Sequence, residues 1–133
     1  MRILDNILRF ENHLNGAKKL RGKNLSDYLV YNTLAMECFQ SANALIDIAE
    51  SITNIKKLGF PSTYTEVFEY LYKNEIIKED ELKKAKKIVF LRNLISHEYY
   101  KIRENELIEM VELLEGMENF INRVKRMIKN GEL

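Results

Sequence analysis

ENELIEMVELLEGMENFINRVKRMIK, residues 104 to 129, is the stretch that decides the fold class. Within it Met110, Leu114, Met117, Ile121, Val124 and Ile128 recur at intervals of 4, 3, 4, 3 and 4. That repeat holds one apolar seam along a helix and suits near-antiparallel packing in a bundle. The spacing predicts one helix from about Glu104 to Lys129.

Upstream the same periodicity continues. Ile3, Ile7, Phe10 and Leu14 share one face of a first helix, from Arg2 to about Lys19, which Gly22-Lys23-Asn24 ends. Asn24 or Ser26 is placed to cap a second helix running to about Lys57. That helix carries two apolar stripes: Leu29, Met36, Phe39 and Ile46, and Leu34, Leu45, Ile48 and Ile52. A helix apolar on two sides is central to its domain or shared with a partner chain. Gly59 is placed for a left-handed C-cap, with Pro61 just beyond. Thr63-Tyr64-Thr65-Glu66 reads as a capping box opening a third helix, to about Asn74. A fourth begins near Glu79-Asp80-Glu81, where acidic residues suit the positive end of the helix dipole.

The chain has one proline and five glycines in 133 residues, and no strand-length alternation of polar and apolar positions. The expectation is an all-α, up-and-down bundle of about five helices forming a single domain, residues 1–133. Its 21 basic and 20 acidic residues nearly cancel, so global charge does not point to nucleic acid. With no signal peptide and no long apolar run, the chain reads as soluble and cytoplasmic, with no membrane association. Cys38 sits among Leu34, Phe39 and Ala42 and reads as a small core residue rather than a nucleophile.

Chemistry concentrates in Arg92-Asn93-Leu94-Ile95-Ser96-His97-Glu98-Tyr99, which places an arginine and one of only two histidines in an otherwise apolar helix. Desolvating both is costly, so a sequence shaped by stability alone would rarely put them there. Arg supplies a fork of donors suited to phosphate, and His can exchange a proton near neutrality. Asn93 and Ser96 add neutral polar groups. Together these suit cleavage of RNA by its own 2′-hydroxyl, which needs proton transfer and charge stabilisation but no metal. No zinc-like ligand set, glycine-rich phosphate loop or other cofactor motif is present. Residues five apart on a helix differ by about 140° in direction. Arg92 and His97 would then serve one small molecule only through helix distortion or a composite site with a second copy of the chain.

The flanking basic residues Lys83, Lys84, Lys86, Lys87 and Lys101 could meet RNA, and Tyr99 and Tyr100 could stack on bases. The same lysines also fit a solvated face with pairs such as Glu79–Lys83. His13, near the end of the first helix, reads as exposed or as a partner of the dipole rather than catalytic.

The octapeptide resembles the R-N-x-x-x-H-x-Y signature of the HEPN superfamily, in its HepT-like toxin branch. The resemblance continues through Leu58-Gly59-Phe60-Pro61-Ser62-Thr63-Tyr64 and Val67-Phe68-Glu69-Tyr70-Leu71, and covers about Asn32 to Ile128. It implies a helical homodimer whose motif helices meet in a cleft and, in active members, a metal-independent ribonuclease toxin of a type VII toxin–antitoxin system. By position Arg92 and His97 would be the catalytic pair and Asn93 a supporting polar residue. The implied partner is a small nucleotidyltransferase of the MntA type, an antitoxin that adenylylates the tyrosine two positions after the motif histidine, here Tyr99. Arg103 departs from the acidic residue the family often carries, and Tyr100 offers a second hydroxyl beside Tyr99. The alternative is a non-catalytic helical dimer that partners a nucleotidyltransferase and binds nucleotide in the same cleft.

Overall fold

The computed structural model describes residues 2–98, with the Glu98 side chain excepted, and 102–133. Its elements are α1 (Arg2–Leu20), α2 (Tyr28–Ile55), α3 (Tyr64–Lys73), α4 (Glu79–Glu98), α5 (Glu104–Glu115) and α6 (Glu118–Lys129). The fold is all-α, as the periodicity predicts, and the described residues contain no strand. α5 and α6 are the two parts of the expected last helix. Its ladder tightens at Gly116–Met117, where Met117 N–H donates to Leu114 O at 3.0 Å, an i→i−3 bond. The seam survives the interruption: Met110, Leu114, Met117, Ile121 and Val124 are all buried, and Ile128 packs against the core edge. Counted as one interrupted rod, it makes a bundle of five.

α2 is the central element, packed most extensively on α1 and also touching α3, α4 and α5. Leu34, Leu45, Ile48 and Ile52 are fully buried. The other stripe divides: Ile46 is buried and Phe39 partly so, whereas Leu29 and Met36 face solvent. The helix is therefore central along most of its length and bare near its N-terminus.

The α2 cap is Asp27, not Asn24 or Ser26. Its carboxylate accepts from Leu29 N–H at 2.9 Å and Val30 N–H at 3.1 Å. A negative charge there also complements the dipole. Asn24 instead turns the chain just upstream, its Oδ1 accepting from Ser26 N–H and Oγ–H.

At the other end of α2 the left-handed residue is Lys57 (φ 53°), not Gly59. Leu58 N–H donates to Thr53 O and Lys57 N–H to Asn54 O, the two bonds of a Schellman motif. Gly59 serves a different need. Its φ of 151° disfavours a side chain, and a Cβ there would lie 2.9 Å from the Tyr70 ring. At α3, Thr63 Oγ1 accepts from Glu66 N–H as expected, but Glu66 reaches back to Ser62 N–H rather than to the cap residue.

Ion pairs fasten α1 to the C-terminal rod: Lys18–Glu118 at 3.1 Å, Arg21–Glu115, and Glu11–Lys125 at 2.6 Å. Each is partly exposed and contributes at most about 1 kcal/mol. Cys38 is fully buried, and burial, with Glu37 adding to it, pushes its thiol up to about 12. It stays protonated and shielded, as a core residue does. No helix among the described residues is long and apolar enough to cross a membrane.

Candidate active site

A cleft of about 850 Å³ opens between α2, the Pro61–Thr63 turn with the start of α3, and α4. From α4, Arg92, Asn93, Ser96 and His97 all line it. The four polar residues singled out in the sequence thus share one concavity, although α4 is an unbroken helix. The width of the cleft, rather than helix distortion, spans the angle between Arg92 and His97.

Arg92 is held on several sides. Its Nε–H donates to Asn43 Oδ1 at 2.8 Å, and Nη1–H to Asn93 Oδ1 at 3.0 Å. Its Cζ lies 5.1 Å from the Phe39 ring centre and 5.2 Å from that of Tyr64, within cation–π range. Among the described residues it meets no carboxylate. Arg9, Arg21, Arg103 and Arg123 each do, through Asp47, Glu115, Glu106 and Glu81. Arg92 is thus held in place with no carboxylate partner among the described residues, an arrangement suited to an anionic ligand.

His97 occupies the last turn of α4, exposed at the cleft rim, and its ring has no partner among the described residues. Glu50 lines the opposite side of the cleft. Burial, and then nearby Asp47, hold its carboxyl above the ordinary carboxylate range.

The four lysines do not join the cleft. Lys83 pairs with Glu79 at 3.9 Å, Lys84 with Asp80 at 3.1 Å and Lys86 with Glu69 at 3.2 Å. Lys87 lies 5.1 Å from the Phe90 ring centre. One-turn spacing to acidic residues favours the first two pairs, and Glu69 on α3 draws Lys86 to that helix. Tyr99, Tyr100 and Lys101 lie outside the described residues. His13 lies away from the cleft, its Nδ1 2.8 Å from Glu37 Oε1. Among the described residues no three His, Cys, Asp or Glu side chains group in a way that could hold a metal ion.

Asn43, Phe39 and Tyr64 complete the site, and sequence reading did not assign them to it. One signal was available: Asn43 is an amide between two alanines, one turn from Phe39 on a largely apolar helix.

This bundle and cleft define a HEPN-type helical domain. The chain matches the family model described as ribonuclease HepT-like over residues 3–124, and it belongs to that family. It is 29% identical over 100 residues to the mRNA nuclease HepT of Shewanella oneidensis, covering 74% of this chain and 75% of that protein. Its fold matches the tri-AMPylated HEPN toxin of Shewanella oneidensis, solved in complex with an MNT antitoxin. The TM-score is 0.85 at 25% identity, over 94% of this chain and 97% of the other. The cytosolic protein YutE of Bacillus subtilis shares the fold at TM-score 0.86 and 15% identity, over 97% and 90% of the two chains.

Proposed function

We propose that this protein is a metal-independent endoribonuclease toxin that works as a homodimer and is silenced by an MntA-like nucleotidyltransferase antitoxin. The observation that carries this reading is the meeting, in one cleft, of an arginine that has no carboxylate partner among the described residues and an exposed histidine. In the reaction the RNA 2′-oxygen attacks the adjacent phosphorus and the bond to the 5′-oxygen breaks. A 2′,3′-cyclic phosphate and a 5′-hydroxyl result. Arg92 holds the phosphate and the charge that grows on it, while His97 moves a proton at the attacking or leaving oxygen. Asn93 and Ser96 support them.

Two proton transfers are needed, and His97 is the cleft's only histidine among the described residues. A second copy of the chain would supply the other. The exposed Leu29 and Met36 on α2, with Phe90 on α4, are apolar side chains that such a partner would cover.

The test is incubation of the purified protein with single-stranded RNA in excess EDTA. Cleavage to cyclic-phosphate ends is expected, and 2′-deoxy substitution at the cut position should block it. RNA that stays intact while nucleotide binds would instead favour a non-catalytic partner subunit.

That the Shewanella oneidensis relative is AMPylated supports adenylylation as the means of silencing, with Tyr99 as the expected target. Intact-mass measurement after incubation with ATP and a cognate nucleotidyltransferase should show adenylyl additions that fall by at least one in Tyr99→Phe. An unchanged number of additions would move the modification to another hydroxyl, Tyr100 first.

A further inference from the structure

We propose that Asn43 is a positioning residue for Arg92: it fixes the guanidinium through a neutral acceptor and so leaves the positive charge for substrate phosphate. The inference rests on the reading of Arg92 as the phosphate holder. A guanidinium carries five N–H donors and no acceptor. Asn43 Oδ1 takes Nε–H at 2.8 Å and Asn93 Oδ1 takes one Nη1–H at 3.0 Å. Three donors remain, all on the two terminal nitrogens, the pair that grips phosphate in a fork.

Orientation comes from the same helix that supplies the acceptor. Phe39 stands one turn before Asn43 on α2, and Tyr64, the first residue of α3, brings the second ring. The side chain of Arg92 would otherwise sample many rotamers, and ordering it on binding would cost affinity. Here that ordering is complete before the ligand arrives.

The neutrality of the acceptor matters as much as its position. Elsewhere among the described residues the arginines with an ion-pair partner are Arg9, Arg21, Arg103 and Arg123, each on a carboxylate. A carboxylate at position 43 would form the same kind of charge-assisted pair and compete with phosphate. An amide holds the geometry without that competition.

Asn43→Asp and Asn43→Ala separate the two roles. Asn43→Asp should lower kcat/KM for RNA by about 100-fold while Tm holds or rises, because the new pair supports the fold. Binding of a single-stranded DNA oligonucleotide of the same sequence, which lacks the attacking hydroxyl, should lose about 0.7 from its log–log salt slope, one phosphate contact. Asn43→Ala keeps the charge and frees the side chain. It should lower kcat about 10-fold with the salt slope unchanged.

An Asn43→Asp protein that cleaves as well as the wild type, with the same salt slope, overturns the proposal. So does an activity loss accompanied by an equal fall in Tm, which a merely structural residue would give. Proton NMR of the arginine side chains judges Asn43 without RNA. The Arg92 Nε–H should exchange slowly in the wild type and rapidly in Asn43→Ala, and equal exchange overturns the proposal. Absence of RNA cleavage by the wild type would reject the ribonuclease reading and leave this measurement standing.

Discussion

Replacing His97 with alanine is expected to lower RNA cleavage by about 10²–10⁴-fold, the range for removing a general acid–base group, and to leave the fold intact. His97 is exposed, has no partner among the described residues, and contributes to stability only as a polar group in the last turn of α4. Substitutions at such positions change stability by about 0.5 kcal/mol or less. The loss should appear in kcat, with RNA affinity nearly retained because Arg92 is untouched. His13→Ala is the matched control: it removes the other histidine and its contact with Glu37, outside the cleft, and should cleave normally. Full cleavage by His97→Ala would remove His97 from the mechanism.

The second large effect concerns the fold. Arg123→Ala should destabilise the protein by about 3 kcal/mol at pH 7, the low end for breaking a buried ion pair, and lower Tm by roughly 10 °C. The Glu81 side chain is 4% exposed, so removing its partner leaves a carboxylate that water cannot reach. Arg123 Nη1–H donates to Glu81 Oε2 at 3.0 Å, and Nη2–H also donates to Ile76 O at 3.2 Å. Lys78 N–H donates to Glu81 Oε1 at 2.9 Å, so the same carboxylate caps the start of α4.

Burial alone would push the Glu81 carboxyl up. The hydrogen bonds from Arg123 and Lys78, with the Arg123 charge, outweigh it and hold the group below its ordinary value. A carboxyl lowered on folding stabilises the protein above its unfolded pKa, and that stability is lost as pH falls through the folded value. In Arg123→Ala burial acts with less opposition, so the folded protein gains affinity for a proton there. The gap in Tm between wild type and variant should therefore narrow on acidification from pH 7 to pH 4. A gap that stays constant, or a Tm loss of only a degree or two, would show that Glu81 finds another partner.

Helix existence was legible because each apolar stripe follows helical spacing, and the buried seam from Met110 to Val124 lies where the sequence puts it. Caps were less legible. Asn24, Ser26 and Asp27 are all competent acceptors within four residues, and only the path of the chain chooses among them. The Schellman turn at Lys57 had no glycine to mark it, because a lysine there takes the left-handed conformation that glycine usually fills.

In the site, Arg92 and His97 stood out as ionisable residues in an apolar helix. Asn43 did not, since its meaning depends on a contact 49 residues away in the chain. The lysines from Lys83 to Lys87 illustrate the reverse limit. Their charge was visible, but the acids that occupy most of them were visible only in part, and Glu69 lies on another helix.

The ion pairs between α1 and the C-terminal rod join residues 94 to 114 positions apart, as Arg21–Glu115 and Glu11–Lys125 show. Every residue assigned to the cleft falls inside the loops they close. Closing loops of that size is slow relative to forming local helices. α2, which carries Asn43, also packs on α5, beyond the cleft in the chain. A chain ending before Glu104 would hold every polar group of the cleft and lack part of the support beneath it. The cleft is therefore expected to assemble late in folding, and an abortive product of translation would carry the site's residues without the frame that aligns them.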